Sequence, residues 1–500
     1  MDEVTAAPIS TPAIVRRPRA TLIAVSMALF CIQVDFFGLN LAIPDMARSF
    51  GASTDDVQWV ISAYMLALGS LFILGGRLGD IYGRRTGLLA GIAIFGVASV
   101  LCATAPNLEA LVGYRILAGM GAALIFPLGI AVVANEFDDT SRAKALGLTF
   151  AIANVGTAVG PFVGGGLAEG PGWRWIFWAL VPLTIVSFVI TYAAVRNSSE
   201  QGISRRLDWE GAALLIAGVA TLSFVVDLGD TWGWGSPASV GMFVAAALLL
   251  GGFLWTESRA HSPLLDLSLF RNPPYVLVMS LGAISNIGYV SLVFVTTLYL
   301  QGVRNLSALL AGVAFLAPAT MVALSGPIGA RVKPYFRPGV IMAASGVIGA
   351  VAMFGMTFAT SWYAFIPLLA IAGFGFGMGW TFANMATQDV VDTNRAGEAS
   401  GVLLTVLVTI GGIGLAIVAT AVASLQRSGH SQQDAYFAPL RVVAVAVVAW
   451  TVIVMVVRAV LVRRGVMVPL SMKAAWPPPA DHYTTPAPGV ATTIRVGARE

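Results

Sequence analysis

Asp35 stands inside the stretch "FCIQVDFFGLNLAIP" (Phe30–Pro44), part of an apolar run from Thr21 to Pro44. A carboxylate at the centre of a bilayer-length segment costs about 2.5–3.5 kcal/mol on insertion scales, and such groups mark proton relays, ion pathways or a buried partner. The chemistry open to Asp35 is reversible protonation. A carboxyl in an apolar cavity can hold a proton or receive a cationic or hydrogen-bonding ligand, and the two then compete for one site. Arg115, inside another apolar run, has no acid beside it in sequence. It keeps its charge, so it must find a carboxylate or carbonyl acceptors elsewhere in the fold. Two plainer readings stand beside the chemical one: a permanent structural pair of Asp35 with Arg115, and an arginine snorkelling to the interface. At about 100° per residue, Gln33 and Asn40 share one helix face and Asp35 points away from it.

Other intramembrane polar residues are Asn154, Asn286, Asn384 and Gln388. Hydrogen bonds between helices account for them more simply than substrate contacts do. Gln33, Asn40, Asn154, Asn286 and Asn384 remain the candidates for a substrate cavity. Asp227, Glu257 and Arg458 fall near span ends, where interfacial solvation is expected. Cys31 and Cys102 lie in apolar runs and read as packing residues. His261, His430 and His482 are scattered through connections and the tail, so no metal site and no catalytic constellation is expected. No glycine-rich loop is followed by Gly-Lys-Ser/Thr, which argues against a nucleotide-driven pump. No cofactor is expected.

These side chains must be carried by membrane-spanning helices. Hydrophobic residues make up 57% of the chain and charged residues 11%, whereas soluble domains average about 25% charged; the mean hydropathy is +0.82. The apolar blocks are long and unbroken rather than alternating, which fits helices and not a β-barrel. Blocks long enough to span fall at 21–44, 57–78, 87–105, 108–133, 144–168, 174–195, 209–227, 238–256, 275–300, 307–330, 339–360, 363–387, 397–424 and 438–462. The expectation is an all-α polytopic membrane protein of about fourteen spans. Arginines cluster after alternate spans, as in Arg77/Arg84/Arg85, Arg142 with Lys144, and Arg331/Lys333/Arg337. The opposite connections hold only Arg48, Arg174, Arg304, Arg427 and Arg441. The positive-inside rule then puts both termini in the cytoplasm. The net charge of +4 comes without basic tracts interleaved with aromatics, so nucleic-acid binding is not expected.

Internal similarity divides the chain. "GGRLGDIYGRRTGL" is echoed by "SGPIGARVKPYFRPGV", "RILAGMGAA" by "LAIAGFGFG", and "RAKALG" by "RAGEASG", in the same order. Two homologous six-helix halves follow: residues 21–195 and 275–462. Two inserted helices with linkers occupy 196–274. A cytoplasmic tail, 1–20, precedes them, and a Pro-rich tail, 463–500, read as disordered, follows.

The motifs in this frame resemble the major facilitator superfamily, in particular its fourteen-helix drug:proton antiporter branch. "GRLGDIYGRR" (Gly76–Arg85) is similar to the superfamily's loop motif, with its acidic position at Asp80. "LVGYRILAGMGAA" (Leu111–Ala123) resembles the span-4 motif with Arg115 in register, although Ala118 replaces the usual Gln. "GTAVGPFVGG" (Gly156–Gly165) resembles the span-5 antiporter motif. "VDFFGLNLAIP" matches the branch's first span at Asp35 and Asn40. "WRWIFWALVP" (Trp173–Pro182) resembles the span-6 entry, with Leu180 replacing the usual Asn.

The resemblance implies a multi-pass transporter of the bacterial plasma membrane, not an enzyme, with two bundles that expose a central site alternately to the two sides. It implies export of hydrophobic or amphipathic small molecules, cationic ones included, driven by the proton gradient and carried out by a monomer. Asp35 would carry the proton and Arg115 would modulate it. Gly76, Gly79, Asp80, Gly83, Arg84 and Arg85 would form a cytoplasmic latch between the halves. The matching second-half position is Ala330, so any latch is one-sided; a solvated basic turn is the simpler reading. Gly156, Gly160, Pro161, Gly164 and Gly165 would form the antiporter motif, for which close helix packing is a sufficient physical account. A same-fold exporter of one endogenous metabolite (an antibiotic, lipid precursor or amino acid), a uniporter or importer, and a membrane-embedded enzyme are the alternatives.

Overall fold

The computed structural model describes residues 17–39, 42–196, 208–260, 264–265, 267–391 and 395–464. The tail expectations for 1–16 and 465–500, and the candidate Asn40, lie outside the described residues. Among the described residues fifteen α-helices run in order: α1 Pro18–Leu39, α2 Ile43–Phe50, α3 Thr54–Tyr82, α4 Arg84–Ala103, α5 Leu108–Glu136, α6 Asp139–Glu169, α7 Arg174–Ala194, α8 Trp209–Trp232, α9 Pro237–Glu257, α10 Pro273–Leu298, α11 Ala308–Val332, α12 Pro338–Met356, α13 Trp362–Val390, α14 Ala396–Arg427 and α15 Gln432–Arg463. All except the short α2 are long and apolar enough to cross a membrane, which makes 14 candidate spans. Among the described residues there is no strand.

Helix starts follow local chemistry. Ser53 and Asp56 make a reciprocal capping box at α3. Asn107, Asp208, Ser236, Asn272, Ser307 and Ser431 cap α5, α8, α9, α10, α11 and α15. The first span is shorter at its end than the apolar run suggests. Pro44 does not close α1 but sits in the first turn of α2, where a proline's missing N–H costs nothing. Gly51, at φ 63°, ends α2. Several other helices run past their apolar blocks, as α8 does to Trp232.

α1, α3, α4, α5, α6 and α7 pack on one another, as do α10 through α15. The two groups meet chiefly along two pairs, α3 against α14 and α6 against α11, with smaller contacts of α5 on α14 and of α13 on α5 and α6. Helices α8 and α9 pair with each other, and α8 lies on both α3 and α14. Burial separates centre from rim. The apolar window of α5 is 78% buried and that of α9 only 17%, so α5 is a core helix and α9 a peripheral one.

Candidate functional site

Asp35 on α1 and Arg115 on α5 meet in the interior, each with its side chain 1% exposed. Arg115 Nη1 donates to both carboxylate oxygens, at 2.9 Å to Oδ1 and 2.7 Å to Oδ2. Nε donates to the Val60 carbonyl of α3 at 2.9 Å. The guanidinium lies over the Tyr64 ring, 4.2 Å from its centroid, with Phe177 of α7 further off. Arg115 Nη2 and Tyr64 Oη are buried without a hydrogen-bond partner among the described residues. The arginine is therefore not snorkelling; it is held by a carboxylate, a carbonyl and an aromatic face from three helices.

Val60 and Tyr64 escaped the reading of the sequence. The one signal available was a tyrosine four residues after Val60 in an apolar helix, which puts both on one face.

Gln33 faces elsewhere, donating from Nε2 to Thr157 Oγ1 of α6 at 3.0 Å. It belongs to the seam between α1 and α6, where the glycine run sits. A Cβ on Gly156 would stand 2.8 Å from the Phe30 carbonyl, and one on Gly160 would stand 3.0 Å from Phe37 Cβ. A Cβ on Gly164 would overlap the Gly38 backbone. Pro161 lies inside α6 and Gly165 is buried. The run thus forms the bed on which the Asp35 helix rests, and Gly38 is its unforeseen counterpart. Asn154 Nδ2 reaches the Val322 carbonyl across the halves at 3.5 Å. Asn286 donates to Leu407 O at 2.7 Å, and Asn384 to Trp380 O one turn back on its own helix. None of the described candidates joins Asp35 in one cluster.

At one end of the bundle Asp80 is fully buried. Its Oδ1 accepts from Arg84 Nε at 3.0 Å, with Arg84 Nη2 at 2.9 Å. Its Oδ2 accepts from the backbone N–H of Glu398 at 3.0 Å. α14 has no side-chain cap of its own. A carboxylate from the other half therefore satisfies a free N–H in its first turn, where anions are favoured. A Cβ on Gly76 would overlap the Gly397 carbonyl, and a Cβ on Gly79 would overlap Leu128. Gly83 takes φ 103° between α3 and α4, a backbone conformation that favours glycine. Arg85 turns away, donating to Tyr192 O at 2.6 Å. Ala330 is 3.2 Å from the Cβ position of Gly147, and a separate ion pair, Lys333 with Asp389 at 2.5 Å, ties α11 to α13.

At the opposite end of α3 an open recess of about 940 Å³ is lined by Asp56, Trp59, Glu109 and Val112 among others. Trp59 adjoins Val60, and Val112 lies one turn before Arg115.

Helices of this number and pairing, with an ion pair buried between them, define a polytopic membrane protein. The Major Facilitator Superfamily profile matches residues 25–416, and the chain belongs to that superfamily. It is similar to the multidrug resistance protein Stp of Mycobacterium tuberculosis, with 31% identity over 413 residues, covering 81% of this chain and 76% of the relative. It is also similar to the tetracenomycin C resistance and export protein of Streptomyces glaucescens, at 29% over 420 residues, covering 82% and 76%. The crystal structure of the human organic anion transporter MFSD10 (TETRAN) shares the fold, with a TM-score of 0.63, 15% identity, and coverage of 87% of this chain and all of that one. The protein is a multi-pass protein of the bacterial plasma membrane.

Two span-end residues differ from expectation. Glu257 and Arg458 are 4% and 5% exposed, so helix packing rather than interfacial water surrounds them.

Proposed function

We propose that the chain is a proton-driven exporter of hydrophobic or amphipathic small molecules, cationic ones included, working by alternating access between bundles 21–195 and 275–462. The observation that carries this reading is the Asp35–Arg115 pair. A lone buried carboxylate is neutralised by one guanidinium nitrogen, with an unpartnered N–H of the same guanidinium left buried. A proton arriving at Asp35 releases Arg115. The freed guanidinium pulls on α3 and α5, and α1 slides on its glycine bed. The recess at the start of α3 supplies a route for the proton, because its lining comes within one turn of Arg115.

Asp80 serves as the latch. It closes its end by capping α14, and the positive-inside distribution makes that end cytoplasmic. The described state is then outward-facing. Gly76, Gly79, Gly83 and Arg84 shape the latch, while Arg85 fastens α4 to α7. Names of relatives support export: they are drug-efflux and antibiotic-resistance proteins. The transporter needs no cofactor beyond the proton gradient and works as a monomer.

The deciding experiment is efflux from proteoliposomes under an imposed pH gradient. Wild type should export against its substrate gradient and Asp35→Asn should not. Equal gradient-driven efflux in both overturns Asp35 as the proton carrier. A second reading, export of one antibiotic, is favoured by relatives named for tetracenomycin C, methylenomycin A and puromycin. A panel of cationic and neutral dyes in the same vesicles separates the two: several dyes exported means multidrug transport, and none means a dedicated exporter.

A further inference from the structure

A second pair of carboxyls, Glu257 buried and Asp208 with one buried oxygen, lies away from Asp35, where the inserted helices join the rest of the protein. Asp208 caps α8: its Oδ1 accepts from Gly211 N–H at 2.9 Å, while Oδ2 is buried without a hydrogen-bond partner. Glu257 ends α9 and is 4% exposed. Its Oε1 accepts from the Leu265 backbone N–H, and its Oε2 is also without a partner. The two unpartnered oxygens converge on one point. A Cβ on Gly211 would stand 2.6 Å from Asp208 Oδ2 and 3.0 Å from Glu257 Oε2, so glycine keeps the slot between them open.

Among the described residues no Lys, Arg or His makes an ion pair with either carboxyl. Arg77, on the α3 helix that lies against α8, is 8% exposed and pairs with neither carboxyl; other charged and titratable groups nearby are engaged elsewhere or exposed. Arg395 binds Glu398 at 3.2 Å, Tyr275 Oη donates to Ala399 O at 2.9 Å, and Glu210 on α8 is exposed. Two ionised carboxylates this close repel each other, and one proton between them removes the repulsion. It also partners both orphan oxygens, whose burial unpaired is costly. A divalent ion is a poorer fit, since calcium takes about six to eight oxygens. Among the described residues no three His, Cys, Asp or Glu side chains gather.

We propose that Asp208 and Glu257 form a second proton-binding site, in which the O–H of one carboxyl donates to the carboxylate of the other across the Gly211 slot. The shared proton ties the start of α8 to the end of α9 and, through Glu257 Oε1, to the segment after it. Three residues beyond Leu265, Ser268 Oγ accepts from Arg395 Nη1 at 3.5 Å. Arg395 holds Glu398, the residue whose N–H binds Asp80. The site therefore stands in line with the latch, and its proton sets how firmly the inserted helices hold that end. It is independent of proton coupling at Asp35.

Infrared difference spectroscopy of the full chain in nanodiscs tests this. Asp35→Asn serves as background, so that the first site is silent. The C=O stretch of a protonated carboxyl should be present at neutral pH in that background and absent in both Asp35→Asn/Glu257→Gln and Asp35→Asn/Asp208→Asn. The same band undiminished in whichever double variant folds overturns the proposal. So does loss of the band from the background protein on adding sodium, potassium, magnesium or calcium, which assigns the slot to a cation. Gly211→Ala gives an independent check: its methyl parts the two oxygens and should abolish the band while Asp208 and Glu257 are both present.

Discussion

Arg115 grips Asp35 with one nitrogen: Nη1 lies within hydrogen-bond distance of both carboxylate oxygens, and Nη2 has no hydrogen-bond partner among the described residues. The pair is thus held less firmly than a two-pronged guanidinium–carboxylate fork, in which two parallel N–H···O bonds add geometry and energy.

Removing one partner of this pair should cost more than removing both. Asp35→Asn leaves a buried uncompensated cation, a loss of about 3–5 kcal/mol. The double variant Asp35→Asn/Arg115→Met should recover most of the thermal stability yet remain unable to drive efflux from a pH gradient. Thermal unfolding of both variants in detergent, alongside vesicle transport, checks the two halves of this expectation. A double variant that transports like wild type sinks the coupling role.

The ring under the guanidinium should matter more than its hydroxyl. Tyr64→Phe keeps the aromatic face and removes an unpartnered O–H, so stability should stay within about 0.5 kcal/mol or rise slightly. Tyr64→Ala loses the ring and opens a cavity, a loss of about 3–5 kcal/mol. Comparing unfolding midpoints of the two variants decides it.

Glycines of the α6 run should differ sharply by position. Gly164→Ala places a methyl on the Gly38 backbone, whereas Gly166→Ala meets nothing within 4 Å. The first should lower the melting temperature and slow transport at least tenfold. The second should change stability by no more than about 0.5 kcal/mol. Equal tolerance of both substitutions would show that α1 does not rest on this surface as described.

Loss of the Asp80 carboxylate should open its end of the bundle. Spin labels at Tyr82 and Tyr335, both exposed, report the separation of the halves there. Asp80→Ala should add a longer-distance population absent from wild type, and Arg84→Ala should do so more weakly, because the Glu398 N–H contact survives. An unchanged distance distribution in Asp80→Ala removes the latch role.

Much of this was readable in the chain. Bilayer-length apolar blocks located the spans because burial in lipid demands them, and Asp35 and Arg115 stood out because a charge in such a block needs a partner. What stayed hidden was set by tertiary contact. Asp80 caps a helix 318 residues away, and no local pattern names Gly397 or Glu398 as the receiving end. Gly38 gains its importance only from α6 lying against it. Glu257 read as an interfacial acid because hydropathy places it at a span end, and only the packing of α8, α9 and the following segment buries it. The apolar run carries Pro44 into the first span, because hydropathy does not show where a helix restarts.

The backbone contacts of Gly76 with Gly397 and of Gly147 with Gly326 have an electrical consequence. Main chain touching main chain leaves no room for a file of water at these two points. An end of the bundle closed along both seams would act as an insulator, with the transmembrane voltage falling across it and the space beyond at the potential of the solution it opens to. A side chain at any of these four glycines would be a fault in the insulation, felt first as ion leak and only afterwards as lost stability.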